Sequence, residues 1–243
     1  MIVDVFSTFI TDPLYNGLIF LISTVPFADV GVAVIILTTV VKIILLPLAH
    51  KSIKTQAIVR KIDPEMKEIR EKYKKDRQEQ ARQTMDLYKK YGINPLSGLL
   101  LIIIQIPIIL GLYLVFLKGG LPEINPERLY SFITSPEIVN MNFLSLIDMG
   151  GRSLILALIA GVAQFVQVRL SLPKVTRTEN PTLKEDLMHS FNIQMRYVLP
   201  VIVALIAYFI SAAVALYWAT SNLFAIGQEI FVRRKIIEKM DIN

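Results

Sequence analysis

The chain has 243 residues, 53% hydrophobic and 19% charged, with 26 Lys and Arg against 20 Asp and Glu and a mean hydropathy of +0.53. Soluble domains are about 45–50% apolar and about 25% charged, so this balance points to a membrane protein; at roughly 20 residues per span, the length allows about four to six membrane helices. The absence of Cys excludes disulfides, thiol chemistry and a Cys-linked lipid anchor, and with only His50 and His189 neither a His-built metal site nor any other cofactor is expected.

Residues 1–41 hold no Lys or Arg, so the start lacks the basic segment of a cleavable signal peptide. Within 1–29, Phe6, Phe9, Ile10, Leu14, Leu18 and Leu21 or Ile22 recur at three-to-four spacing, with Asp12, Tyr15 and Asn16 between them. This predicts a helix lying in the outer interface, or one that only anchors the span after it. The first span is placed at 30–48, on GVAVIILTTVVKIILLPL.

Residues 49–93 read as a basic helical hairpin. Asp63 and Pro64 suit a helix start, and Ile62, Met66, Ile69 and Tyr73 make one apolar stripe. Ala81, Met85 and Tyr88 make a second, and Gly92 closes it. Two such stripes can bury only each other, which predicts an antiparallel pair. The second span is 94–117, whose apolar stretch from Leu96 is about 33 Å long at 1.5 Å per residue. A loop over 118–152 leads to a third span at 153–171, and a loop over 172–196 follows. Tyr197–Phe231 is too long for one helix and reads as two, 197–211 and 212–232, turning within Ile210–Ala213; a single long tilted helix is the alternative. Residues 233–243 form a basic tail.

Orientation follows from charge. His50–Gly92 contains 13 Lys and Arg against 7 acids, a net +6 that equals the formal net charge of the chain. Positive loops stay cytoplasmic. The expected architecture is an all-α polytopic membrane protein with five spans, N-terminus outside and C-terminus cytoplasmic, with an outer interfacial helix and a cytoplasmic hairpin. The hairpin either serves as a solvated charged arm or touches anionic lipids, ribosomal RNA or emerging chains.

A charge inside a span costs about 2.5–3.5 kcal/mol on insertion scales, which makes Lys42 the most informative residue. It lies about 9 Å along the helix from Leu48, so it either snorkels to the cytoplasmic interface or faces a wet cavity. Thr38 shares its face and Thr39 is beside it. Gln105 stands in the second span, Gln164 and Gln167 three apart on one face of the third, and Tyr217, Thr220, Ser221, Asn222 and Gln228 in the last. Each polar group alone suits a helix-to-helix hydrogen bond; together they could line a hydrophilic interior. No Asp or Glu falls in a span before Glu229, no His stands ready as a base for a serine, and no phosphate-binding glycine loop occurs. Catalysis is therefore not expected. A small-solute transporter or channel is the competing reading, and it would want an acidic residue in a span.

These segments resemble the YidC/Oxa/Alb superfamily of membrane protein insertases, and within it the five-span core of bacterial members. GVAVIILTTVVKIILLPL is similar to the first core span, and NPLSGLLLIIIQIPIILGLYLVF to the second with its NP-x-x-G and Q-x-P-I pattern. GVAQFVQVRLS is similar to the third, and LYWATSNLFAIGQE to the last with its LYW-x-x-SN and GQ signature. The resemblance implies insertion of short-tailed membrane proteins without ATP, alone or beside the Sec translocon, in the bacterial plasma membrane. The implied partners are nascent membrane proteins, the ribosome, Sec and anionic lipids, with the monomer as the working unit. It also implies a hydrophilic groove whose positive residue falls at Lys42, with partners among Thr38, Thr39, Gln105, Gln164, Gln167, Tyr217, Trp218, Ser221 and Asn222. An apolar slide would run along Ile104, Ile108, Leu112, Val201 and Leu205. The chain departs from the family pattern in having Lys42 where bacterial members usually carry Arg, and in lacking the large outer domain and lipoprotein Cys that some have. Lys keeps the charge but loses the planar, five-donor fork.

Overall fold

A computed structural model describes residues 5–26, 29–94, 97–118, 121–172 and 189–241. Helix α1 spans Asp12–Thr24, α2 Val30–Ile44, α3 Leu46–Lys61, α4 Asp63–Lys72, α5 Arg77–Lys90, α6 Ser97–Lys118, α7 Leu154–Ser171, α8 Leu199–Ile210 and α9 Ala212–Asp241. A short antiparallel hairpin, β1 Asn142–Phe143 and β2 Ile147–Asp148, lies between α6 and α7. The protein is thus mostly helical, as its composition predicts. By length and composition α7 and the helix His189–Ile210, which ends in α8, can each cross a membrane, and α2 with α3 makes a third span if the bent pair counts as one. Pro95 and Leu96 at the expected start of the second span, and 173–188 of the expected cytoplasmic loop, lie outside the described residues.

Prolines set several element boundaries. A proline lacks an N–H, and its ring collides with the carbonyl four residues back. Ahead of Pro13 the chain makes a π-helical turn at Ser7–Thr11, and ahead of Pro200 another at Gln194–Val198. Near Pro47 the helix breaks at Leu45, so the straight part of the first expected span ends at Ile44 rather than at residue 48. Pro107 is accommodated inside α6. The last expected loop is also shorter than the sequence suggested, because helix begins at His189 rather than at 197.

The chain divides into two compact units, Met1–Ile44 with Gln105–Ile226, and Leu45–Ile104 with Gly227–Asn243. In the first, small residues bring helices close. A Cβ on Gly161 of α7 would stand 2.8 Å from Ala204 Cβ and 3.2 Å from the Pro200 carbonyl oxygen of α8. One on Gly111 of α6 would stand 2.7 Å from Ile10 Cγ2 and 2.9 Å from Leu14 Cδ1.

Helix α1 buries Leu14, Leu18 and Ile22 as its spacing predicts, while Phe9 stays exposed. Tyr15 and Asn16, which the pattern assigned to the polar side, are buried as well. The loop after α6 supplies their partners. Arg128 donates to Asp12 Oδ1 at 2.7 and 3.3 Å, and its guanidinium lies 5.0 Å from the Tyr15 ring centre. Asn16 donates to the Arg128 carbonyl at 2.9 Å and accepts from the Tyr130 N–H at 2.7 Å, and the Tyr15 hydroxyl accepts from the Asn125 N–H at 2.9 Å.

Two more contacts fix helix starts in this region. Asp29 caps α2 by accepting from Val32 N–H at 2.8 Å, and its second oxygen accepts from Leu144 N–H at 3.0 Å. Between α8 and α9, Ser211 is extended (φ −164°, ψ 159°), within the stretch where the sequence places the turn. No Gly or Pro is needed there, because the carbonyls of Gly151 and Met149 accept from the N–H groups of Ala212 and Ala213 at 2.8 and 3.1 Å.

The second unit contains the charged pair α4 and α5, whose core is Ile62, Met66 and Leu87, flanked by Ile58, Ile69, Tyr88, Tyr91 and Ile93. The second stripe therefore differs from expectation: Met85 is 49% exposed and Leu87 takes its place at 7%. Asp63 does not cap α4; α3 runs up to Ile62, and Asp63 instead pairs with Lys67 at 3.2 Å. The working cap belongs to Asp76, which accepts from Gln78 and Glu79 N–H at 3.1 and 3.0 Å, while Gly92 (φ 60°) takes the left-handed turn after α5. The expected basic tail is no separate segment, since α9 continues to Asp241, with Arg233 paired to Glu229 at 2.6 Å.

Candidate functional site

Lys42 stands in the last turn of α2, in a helix whose other residues are apolar apart from Thr38 and Thr39. Both threonine hydroxyls turn back on their own helix, donating to the carbonyls of Val34 at 2.6 Å and Ile35 at 2.8 Å. Their protons are thereby spent on the backbone. Lys42 reaches across to α6, where its Nζ donates to Gln105 Oε1 at 3.2 Å. The other end of that amide, Nε2, donates to the Tyr217 hydroxyl of α9 at 2.5 Å. Tyr217 is 1% exposed, and Ser221, one turn further along, is buried as well. Lys42, Gln105 and Tyr217 thus form one continuous chain of hydrogen bonds within the first unit.

A second polar pair joins α7 to α9. Asn222 Nδ2 donates to Gln164 Oε1 at 3.0 Å, with both side chains buried. Gln167, three residues on from Gln164, does not share this contact and donates to Ser171 of its own helix at 3.0 Å. Trp218 is half-buried beside Tyr217. The polar residues read along the sequence therefore fall into two clusters, with Thr38, Thr39 and Gln167 bonded locally. Tyr217 and Asn222 come from one helix but serve different clusters, which their spacing alone does not reveal.

Among the described residues no carboxylate pairs with Lys42, and no group of three or more His, Cys, Asp and Glu could hold a metal. A cation placed among neutral amides and hydroxyls can attract a negative group.

The apolar residues assigned to a slide divide by face. Val201 and Leu205 of α8 are 58% and 53% exposed, alongside Ile202, Ile206 and Phe209. On α6, Ile104 is half-buried while Ile108 and Leu112 are buried against the rest of the chain. Among the described side chains of α6, Ile103, Ile106 and Leu110 face outward instead.

Residues 21–239 match the family model described as 60Kd inner membrane protein. The chain belongs to this family. A relative from Oceanobacillus iheyensis is 32% identical over 86% of this chain and 76% of its own length, and one from Clostridium tetani is 32% identical over 91% and 89%. A third, from Fusobacterium nucleatum, is 30% identical over 94% of this chain and 98% of its own. All three are named Membrane protein insertase YidC. The matched residues of the 60Kd inner membrane protein family include α2, α6, α7, α8 and nearly all of α9, and with the apolar helices they identify a multi-pass membrane protein.

Proposed function

We propose that this chain is a membrane protein insertase that takes up short-tailed membrane proteins through a hydrophilic groove centred on Lys42, without ATP. The observation that carries the proposal is a lysine inside an apolar helix, hydrogen-bonded to a neutral amide and left without a counter-ion among the described residues. An uncompensated charge in a membrane helix is costly and marks function.

Moving a polar tail through hydrocarbon costs several kcal/mol per unpaired polar group. A wet groove shortens the dry distance, and Lys42 offsets the charge of an acidic tail while the tail is inside. A membrane potential positive outside then draws the tail outward by about 2.3 kcal/mol per charge per 100 mV. The substrate's apolar segment leaves along the outward faces of α6 and α8 and enters lipid, because a span of about 20 apolar residues prefers bilayer to groove. In this scheme five spans place the N-terminus outside and the C-terminus in the cytoplasm. The basic hairpin faces the cytoplasm, where its charge suits ribosomes and anionic lipid. The chain works as a monomer, alone or beside Sec.

Expression of the wild type, Lys42→Arg and Lys42→Ala in a bacterium depleted of its own insertase tests the proposal, scoring insertion of a single-span substrate with an acidic outer tail. Wild type and Lys42→Arg should support insertion and Lys42→Ala should not. Equal insertion with all three would show that Lys42 is an interfacial anchor.

A further inference from the structure

We propose that Gln105 and Tyr217 are positioning residues that hold the Lys42 ammonium inside the membrane without neutralising it. The proposal rests on the reading of Lys42 as the charge that attracts substrate. It begins from hydrogen-bond polarity. An ammonium can only donate, so it fixes the Gln105 amide with Oε1 toward Lys42, at 3.2 Å. The amide's NH2 must then face α9, where the Tyr217 oxygen accepts it at 2.5 Å. Each donor in the chain points away from Lys42, so every dipole presents its negative end toward the cation.

Burial makes this chain the support for Lys42. Tyr217 is almost fully buried and Ser221 is buried, so the far end is held by packing, whereas Lys42 is only half-buried on a long flexible stem. Without an anchor on α6 the ammonium would be free to extend along its stem toward the nearer interface. The choice of a neutral amide also matters. A carboxylate at position 105 would hold Lys42 more tightly but would cancel the charge a substrate is meant to meet. Glutamine holds it and leaves the charge available.

The test uses the full-length chain and two single-span substrates that differ only in the outer tail, one acidic and one with its acids changed to amides. The readout is the ratio of their insertion. Gln105→Leu and Tyr217→Phe should each lower the acidic-to-neutral ratio about five- to tenfold, the scale of one lost hydrogen bond. Gln105→Glu should lower the ratio as well, despite keeping a partner for Lys42. Loss of both substrates in parallel would assign Gln105 and Tyr217 a purely structural role and overturn the proposal. So would an unchanged ratio in Gln105→Leu and Tyr217→Phe when Lys42→Ala loses it. If Lys42→Ala itself keeps the wild-type ratio, the groove reading fails first and the positioning role falls with it.

Discussion

Arg128 and Lys42 are both cations of the first unit, and they are treated in opposite ways. Arg128 is matched by the Asp12 carboxylate at 2.7 Å and by the face of Tyr15, and its backbone carbonyl accepts from Asn16. Lys42 meets a neutral amide. A matched charge closes a loop onto a helix and contributes to stability. One left unmatched in an apolar helix lowers stability and remains available to a negative partner. The two positions therefore separate what holds this protein together from what it uses.

Substitutions can widen or erase that contrast. The largest effect is expected at Lys42, where Lys42→Ala should lower insertion of an acid-tailed substrate by about tenfold or more with no loss of melting temperature, since a charged partner is worth about 1.5–3 kcal/mol. Parallel assays of insertion and of thermal unfolding in detergent would measure both. At Arg128 the effects should be reversed. Arg128→Ala should cost about 1–3 kcal/mol of stability, with a coupling to Asp12→Ala visible in a double-mutant cycle, and should spare the acidic-tail preference. Gly161→Val should destabilise by overpacking, by about 1–3 kcal/mol, because its Cβ would already meet Ala204 at 2.8 Å.

The smallest effect is expected from a change of pH on the second unit. There the Tyr91 hydroxyl donates to Glu65, and this bond, helped by Lys90 at 3.3 Å, holds the Glu65 carboxyl below its usual range. A depressed carboxyl adds stability above its unfolded pKa and loses it as pH falls through the folded value. Hydrogen exchange of α4 and α5 in the intact protein should therefore quicken as pH drops through the carboxylate range, after correction for intrinsic rates, and Tyr91→Phe should flatten that dependence. Leu87→Ala should open the same pair far more than Met85→Ala, since Leu87 is buried and Met85 is not.

Much of this was legible in the sequence because it depends on local pattern. The helical composition, the apolar runs, the charged pair at 49–93 and the solitary Lys42 follow from periodicity and charge. What escaped depends on partners distant along the chain. Tyr15 and Asn16 read as polar surface because Asn125, Arg128 and Tyr130, more than 100 positions away, satisfy them. The turn at Ser211 had no Gly or Pro to mark it, because carbonyls of another loop accept the first N–H groups of α9. At the site, spacing grouped Gln164 with Gln167, but each takes a partner in a different direction. Gln105 was visible as one polar residue in an apolar helix; its place between Lys42 and Tyr217 requires three helices to be seen together.

The most direct test is a charge reversal. Insertion of two matched single-span substrates, one with an acidic and one with a basic outer tail, would be measured with the wild type and with Lys42→Glu at equal expression. If the uncompensated charge at position 42 selects the tail, wild type favours the acidic substrate and Lys42→Glu shifts the ratio toward the basic one. An unchanged ratio in the reversed protein would contradict the account, because the groove's charge would then play no part in choosing what crosses.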